Sequence, residues 1–200
     1  MEISHVISDL VLAAVGFFVF FKYLIKLDTL STILWESFIL SVAIAAALGA
    51  IRYAGYIQAG EASAFFQKLA ATVGALGLLT AAYQLVSGKT IDRMLGYLII
   101  GVGFILLAVT EFMDFTTVRN YIALICLPLV ALLGIWAFTK GKSMVGILLI
   151  GGVFFAAAAV FVPQYLENAA DGIDAYHYLL ALAVLCFGLA ASKQPTIEEV

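Results

Sequence analysis

Apolar residues fall in seven long stretches, at about 6–25, 30–51, 62–86, 94–113, 119–138, 143–164 and 174–192, divided by short polar connections. About 20 apolar residues in helical form cross the hydrocarbon layer of a bilayer, and each stretch reaches or approaches that length. None of them alternates polar and apolar positions as a barrel strand does. A helix satisfies its own backbone polar groups in lipid, so helices are the physical solution. The pattern predicts an all-α polytopic membrane protein, a seven-transmembrane-helix bundle, with residues 1–200 as a single integral membrane domain. No connection is long enough to hold a soluble catalytic module.

Composition agrees with that pattern. The chain is 64% hydrophobic and 12% charged, with a mean hydropathy of +1.12, whereas a soluble domain is about 45–50% apolar. Its ten basic residues are scattered, so no nucleic-acid footprint forms and no nucleic-acid partner is expected. Their placement is informative in another way. Lys22, Lys26, Lys89, Arg93, Lys140, Lys142 and Lys193 fall on one side of the alternating spans, against Arg52, Lys68 and Arg119 on the other. Bases gather on the cytoplasmic side, which predicts an N-terminus outside and a C-terminus in the cytoplasm of a plasma or inner membrane. The first charges are Glu2 and Asp9, without a basic leader region, so the first stretch is expected to be a span. Cys126 and Cys186 both lie in apolar stretches, as small buried hydrophobes do.

The few polar residues inside the spans carry the candidate chemistry. His5 and Asp9 are four apart, Glu111 and Asp114 three apart, and Asp174 and His177 three apart. Each spacing puts a pair on one helix face. With alternating spans the three pairs converge on one outer layer, with two imidazoles and four carboxylates. That set suits zinc or another divalent cation, with His5, Asp9 and His177 as metal ligands, Asp174 orienting an imidazole from outside the ligand set, and Glu111 or Asp114 as the catalytic base. The same residues also serve a simpler reading as helix caps and a wetted interface, with Asp174 favourable at a helix N-terminus. Arg52 and Arg119 are available to neutralise the outer acids.

Glu36, beside Ser37, is a second signal. It lies about two turns inside the second span, where a carboxylate must face the bundle, take a proton or find a partner. Gln67, Thr72, Thr80, Tyr83 and Gln84 extend the polar inventory of the third span. Gly74, Gly77, Gly96, Gly101, Gly134, Gly151 and Gly152 let helix backbones approach closely.

Seven spans, an outer N-terminus, a short chain and His177 near the start of the last helix resemble the ceramidase-like membrane hydrolases. The resemblance implies a zinc-dependent amidase with three histidine ligands, an acidic residue and a serine, two of the histidines being spaced HxxxH in the last helix. It matches His177 to one member of that pair and Glu36 or Ser37 to the acidic or hydroxyl component. The chain departs from the pattern at Ala181, which stands four residues after His177, and in holding two histidines in all. Three functions stay open: a metal-dependent hydrolase of a lipid amide or ester near the outer leaflet; a small cation or proton-coupled transporter or channel; and a non-enzymatic receptor or assembly protein. Membrane lipids are the expected surroundings, with a lipid or small molecule as substrate. The sequence does not set the oligomeric state.

Overall fold

The computed structural model describes residues 3–113, 116–166 and 168–196. Helix α1 (Ile3–Lys22) shows how this sequence builds a membrane bundle. Its buried positions are His5, Ser8, Asp9, Leu12, Ala13, Gly16 and Val19, a stripe at steps of three and four. The opposite face carries Ile3, Ile7, Leu10, Phe18 and Phe21, all exposed. Because lipid tails accept apolar side chains, the small and polar residues face inward and the large apolar ones face outward.

Helix α2 (Thr29–Tyr53) starts at Asp28, whose carboxylate accepts hydrogen bonds from the Leu30 and Ser31 backbone N–H groups at 3.1 and 3.2 Å. Asp28→Ala is expected to cost about 1 kcal/mol, the usual worth of such a cap, read as a lower thermal midpoint in detergent. Helices α3 (Ala59–Leu69) and α4 (Ala75–Ser87) form one span, joined by a π turn at Ala70–Gly74. Helix α4 ends on Gly88, whose φ of +69° is the left-handed conformation that closes helix C-termini. The remaining helices are α5 (Arg93–Phe112), α6 (Thr116–Thr139, containing Pro128), α7 (Ser143–Phe161) and α8 (Ala169–Ala191).

Among the described residues, seven helical segments are long and apolar enough to cross a membrane, at the positions the apolar stretches predict. The protein is an all-α integral membrane bundle, with no strand among the described residues. Two details differ from the sequence pattern. The third span is interrupted by the π turn. The last helix begins at Ala169, where Asn168 caps it by accepting from the Ala170 N–H at 3.0 Å. Asp174 therefore lies beyond the first turn, and Asp171 takes the acidic first-turn place.

The helices pack as a ring. Helix α1 lies against α2 and α8, α8 against α7, α7 against α6, α6 against α4, and α4 against α2. Helix α5 stands outside the ring, against the π turn, α4 and α6. Glycines set the closest approaches. A Cβ on Gly77 would strike the Ser37 hydroxyl and come within 2.6 Å of the Leu34 carbonyl, so α4 meets α2 there backbone to backbone. Below the polar layer, Leu34, Trp35, Ile39, Val184 and Phe187 form a dry core. The segment after α8 is tied down by Gln194, which accepts from Trp35 Nε1 at 3.0 Å and donates to Ser31 Oγ at 2.7 Å.

Candidate functional site

At the end of the bundle that carries the start of α1, five side chains from α1 and α8 form one hydrogen-bonded chain. The α1 face supplies His5, Ser8 and Asp9 at the spacing i, i+3, i+4, and α8 supplies Asp174 and His177 at i, i+3. The Ser8 hydroxyl donates to Asp174 Oδ1 at 2.7 Å, and the same oxygen accepts from His5 Nδ1 at 2.8 Å. Ser8 has a single hydrogen, so its oxygen accepts from His177 Nδ1, 3.0 Å away. The second nitrogen of His177, Nε2, lies 3.2 Å from Asp9 Oδ1. One proton must sit between those two atoms, on the imidazole or on the carboxyl, because otherwise two acceptors would face each other. The order is Asp9, His177, Ser8, Asp174, His5. It runs from a carboxylate 3% exposed to one 19% exposed.

The second oxygen of Asp9 is unusual. Asp9 Oδ2 is buried without a hydrogen-bond partner among the described residues, a state that costs energy wherever it occurs in a protein interior. It lies against Gly49 of α2, where an added Cβ would come within 2.5 Å of it. Around the network, the His5 ring sits 4.9 Å from the Tyr53 ring, and the Arg52 guanidinium lies over Tyr53 at 4.5 Å.

Asp9 and His177 stand at the polar end of a cavity of about 190 Å³ inside the ring of helices. Leu12, Phe38, Val42, Leu78, Leu127 and Leu180 give it apolar walls, and the alanines of α2 and of the π turn leave the space that larger side chains would fill. Gln67 and Tyr176 are its other polar lining groups. Gln67 donates to Ser63 Oγ at 3.3 Å, and the Ser63 hydroxyl donates to the Ala45 carbonyl at 2.8 Å. Such a cavity, mostly apolar with a few convergent polar groups, is the usual form of a small-molecule site.

The sequence-predicted residues distribute unevenly. His5, Asp9, Asp174 and His177 come together as one layer. Among the described residues, no three His, Cys, Asp or Glu side chains are placed to hold a metal ion. The reason is visible in the network: His5 is turned to Asp174, and His177 lies between Ser8 and Asp9, rather than both aiming at a common point. Glu111 is carried by α5, outside the ring, where it pairs with Lys68 of α3 and does not line the cavity. Asp114 lies outside the described residues. Glu36 and Ser37 line no described cavity; the Ser37 hydroxyl donates to the Leu34 carbonyl at 2.8 Å. The residue missed by sequence reasoning is Ser8, the junction of the whole chain. Its signal was present, three residues after His5 and on the same helix face.

Fold and site together define a polytopic all-α membrane protein with a buried Asp–His site at the head of an apolar cavity. A family model matches residues 4–196, and the chain belongs to that family, DUF6962, a family of unknown function. No curated protein and no solved structure matches it.

Proposed function

We propose that the protein takes an apolar lipid chain or similar amphiphile into the bundle and moves a proton to or from its polar end through Asp9 and His177. The observation that carries this reading is the buried, unpartnered Asp9 oxygen at the head of an apolar cavity, linked by hydrogen bonds to Asp174. An apolar pocket selects the chain of the ligand, and a carboxylate–imidazole pair is a general base once its proton has a way out. The way out is the route through Ser8 to Asp174.

The reaction class that fits is hydrolysis of a lipid ester or amide. Water at Asp9 gives its proton to the Asp9–His177 pair as its oxygen adds to the acyl carbon. The C–O or C–N bond then breaks, and the same pair returns the proton to the leaving alcohol or amine. This keeps the hydrolase reading of the sequence but assigns the work to a base rather than to a metal. The positive-inside bias of Lys22, Lys26, Lys89, Arg93, Lys140, Lys142 and Lys193 supports a site near the outer leaflet.

The test is a panel of lipid esters and amides presented in nanodiscs in ¹⁸O-labelled water, with native mass spectrometry of the lipid retained by the purified protein. The wild type is expected to retain an amphiphile and to place ¹⁸O in the released acid. Ala46→Phe, which fills the cavity from α2, is expected to lose retention and turnover together. Equal retention by both proteins would overturn the cavity as the binding site. Retention without ¹⁸O in any product would remove hydrolysis and leave a carrier or receptor.

A further inference from the structure

The second large cavity lies at the opposite face of the bundle and has a different chemistry. It holds about 580 Å³ between the end of α4, the connection from α6 to α7, and the segment that follows α8. Three lysines line it, Lys89, Lys142 and Lys193, and no acidic residue among the described residues does. Lys142 is fixed: its Nζ donates to the Leu85 and Val86 carbonyls at 2.6 and 3.2 Å, which anchors an ammonium at the cavity wall. Lys89 and Lys193 are exposed.

Backbone donors add to the charge. The 19-residue helix α7 begins at this wall with Lys142 in the cap position and no side chain capping its first turn. Ser143, Met144 and Val145, whose N–H groups have no partner within the helix, all line the cavity. A helix N-terminus of this kind favours an anion. An independent observation comes from α4. Gln84 is 6% exposed, lines the same cavity, and its Oε1 is buried without a hydrogen bond among the described residues. That atom accepts hydrogen bonds, and a donor that enters beside Gln84 would satisfy it.

We infer that this cavity binds a phosphate group carrying a neighbouring hydroxyl or ammonium: the phosphate lies among Lys89, Lys142, Lys193 and the start of α7, and the donor reaches Gln84. Two sources present that chemistry at a membrane face, the headgroup of an anionic phospholipid and a soluble phosphate ester. Neither depends on the Asp9 site, which lies at the other end of the bundle.

The experiment uses the full chain in nanodiscs. In one arm, native mass spectrometry compares retention of phosphatidylglycerol with that of phosphatidylcholine. In the other, nanodiscs of phosphatidylcholine alone are titrated with glycerol 1-phosphate and with inorganic phosphate. Two variants are read beside the wild type, Lys89→Ala with Lys193→Ala, and Thr90→Glu, which brings a carboxylate to the cavity from an exposed loop position. The expected result is preferential retention of phosphatidylglycerol, reduced tenfold or more in both variants at an unchanged thermal midpoint, and weakened by salt. Binding of glycerol 1-phosphate with the same sensitivity, and no lipid preference, would identify the soluble source and support the site. If the lysine pair does not fold, Thr90→Glu decides alone. No anion preference in either arm, or a preference that neither folded variant alters, would overturn the inference.

Discussion

Asp9→Asn is expected to lower lipid turnover by roughly 10²–10⁴-fold, the worth of a positioned acid–base group, while leaving lipid retention and the thermal midpoint close to those of the wild type. Asparagine has nearly the size and shape of aspartate, so it fits beside Gly49 and keeps an atom within reach of His177 Nε2. What it lacks is a site for a proton. His177 would then hold an amide instead of a carboxyl, and the path to Asp174 would end one residue short of the cavity. The separation of the two readouts is the informative part. A purely structural Asp9 predicts that the asparagine variant keeps its turnover, and that result would remove the acid–base reading. Loss of retention alongside turnover would show that Asp9 binds the ligand rather than moving its proton.

Gly77→Val is expected to prevent accumulation of folded protein. The first atom of any side chain at this position meets the Ser37 hydroxyl and the Leu34 carbonyl, and the second is backbone of a neighbouring helix that has no rotamer to change. Forced insertion into a packed interior costs about 1–3 kcal/mol where side chains can yield, and more is expected where a backbone must move. Gly101 is the matched control. It sits in α5, where nothing lies within 4 Å of an added Cβ. Gly101→Ala is expected to be neutral or stabilising by up to about 1 kcal/mol, since alanine is the better helix former. Yield of monodisperse protein and the thermal midpoint in detergent distinguish the two; a well-folded Gly77→Val protein would mean that α2 and α4 separate easily.

The contrast between these glycines shows what the sequence could reveal. Both stand in apolar stretches, and only the ring arrangement separates a glycine crushed between helices from one facing open space. Span positions were legible because hydrophobic length and membrane thickness are both one-dimensional. The polar layer was legible in part for a similar reason: His5 with Asp9, and Asp174 with His177, share helix faces by spacing alone, and odd-numbered spans start on the same side. Glu111 satisfied the same rule of depth yet belongs elsewhere, because depth does not say which helices are inside the ring. Lys68, a neighbour in space and 43 positions away in sequence, holds it there. The π turn and the unpartnered oxygen of Asp9 arise from tertiary packing, which no local spacing encodes. The lysines read for orientation gained a second meaning once three of them lined one cavity.

The hydrogen-bonded network joins α1 to α8 across sequence separations of 166 to 169 residues. During synthesis at about 5–20 residues per second, α1 therefore waits on the order of ten seconds or more for its partner. Throughout that interval His5, Ser8 and Asp9 lie in a helix already committed to the membrane, without Asp174 and His177 to receive them. An insertase or chaperone that shelters polar faces of early spans would have its longest task on this first helix. Release of α1 into the finished bundle then coincides with completion of the hydrogen-bonded layer.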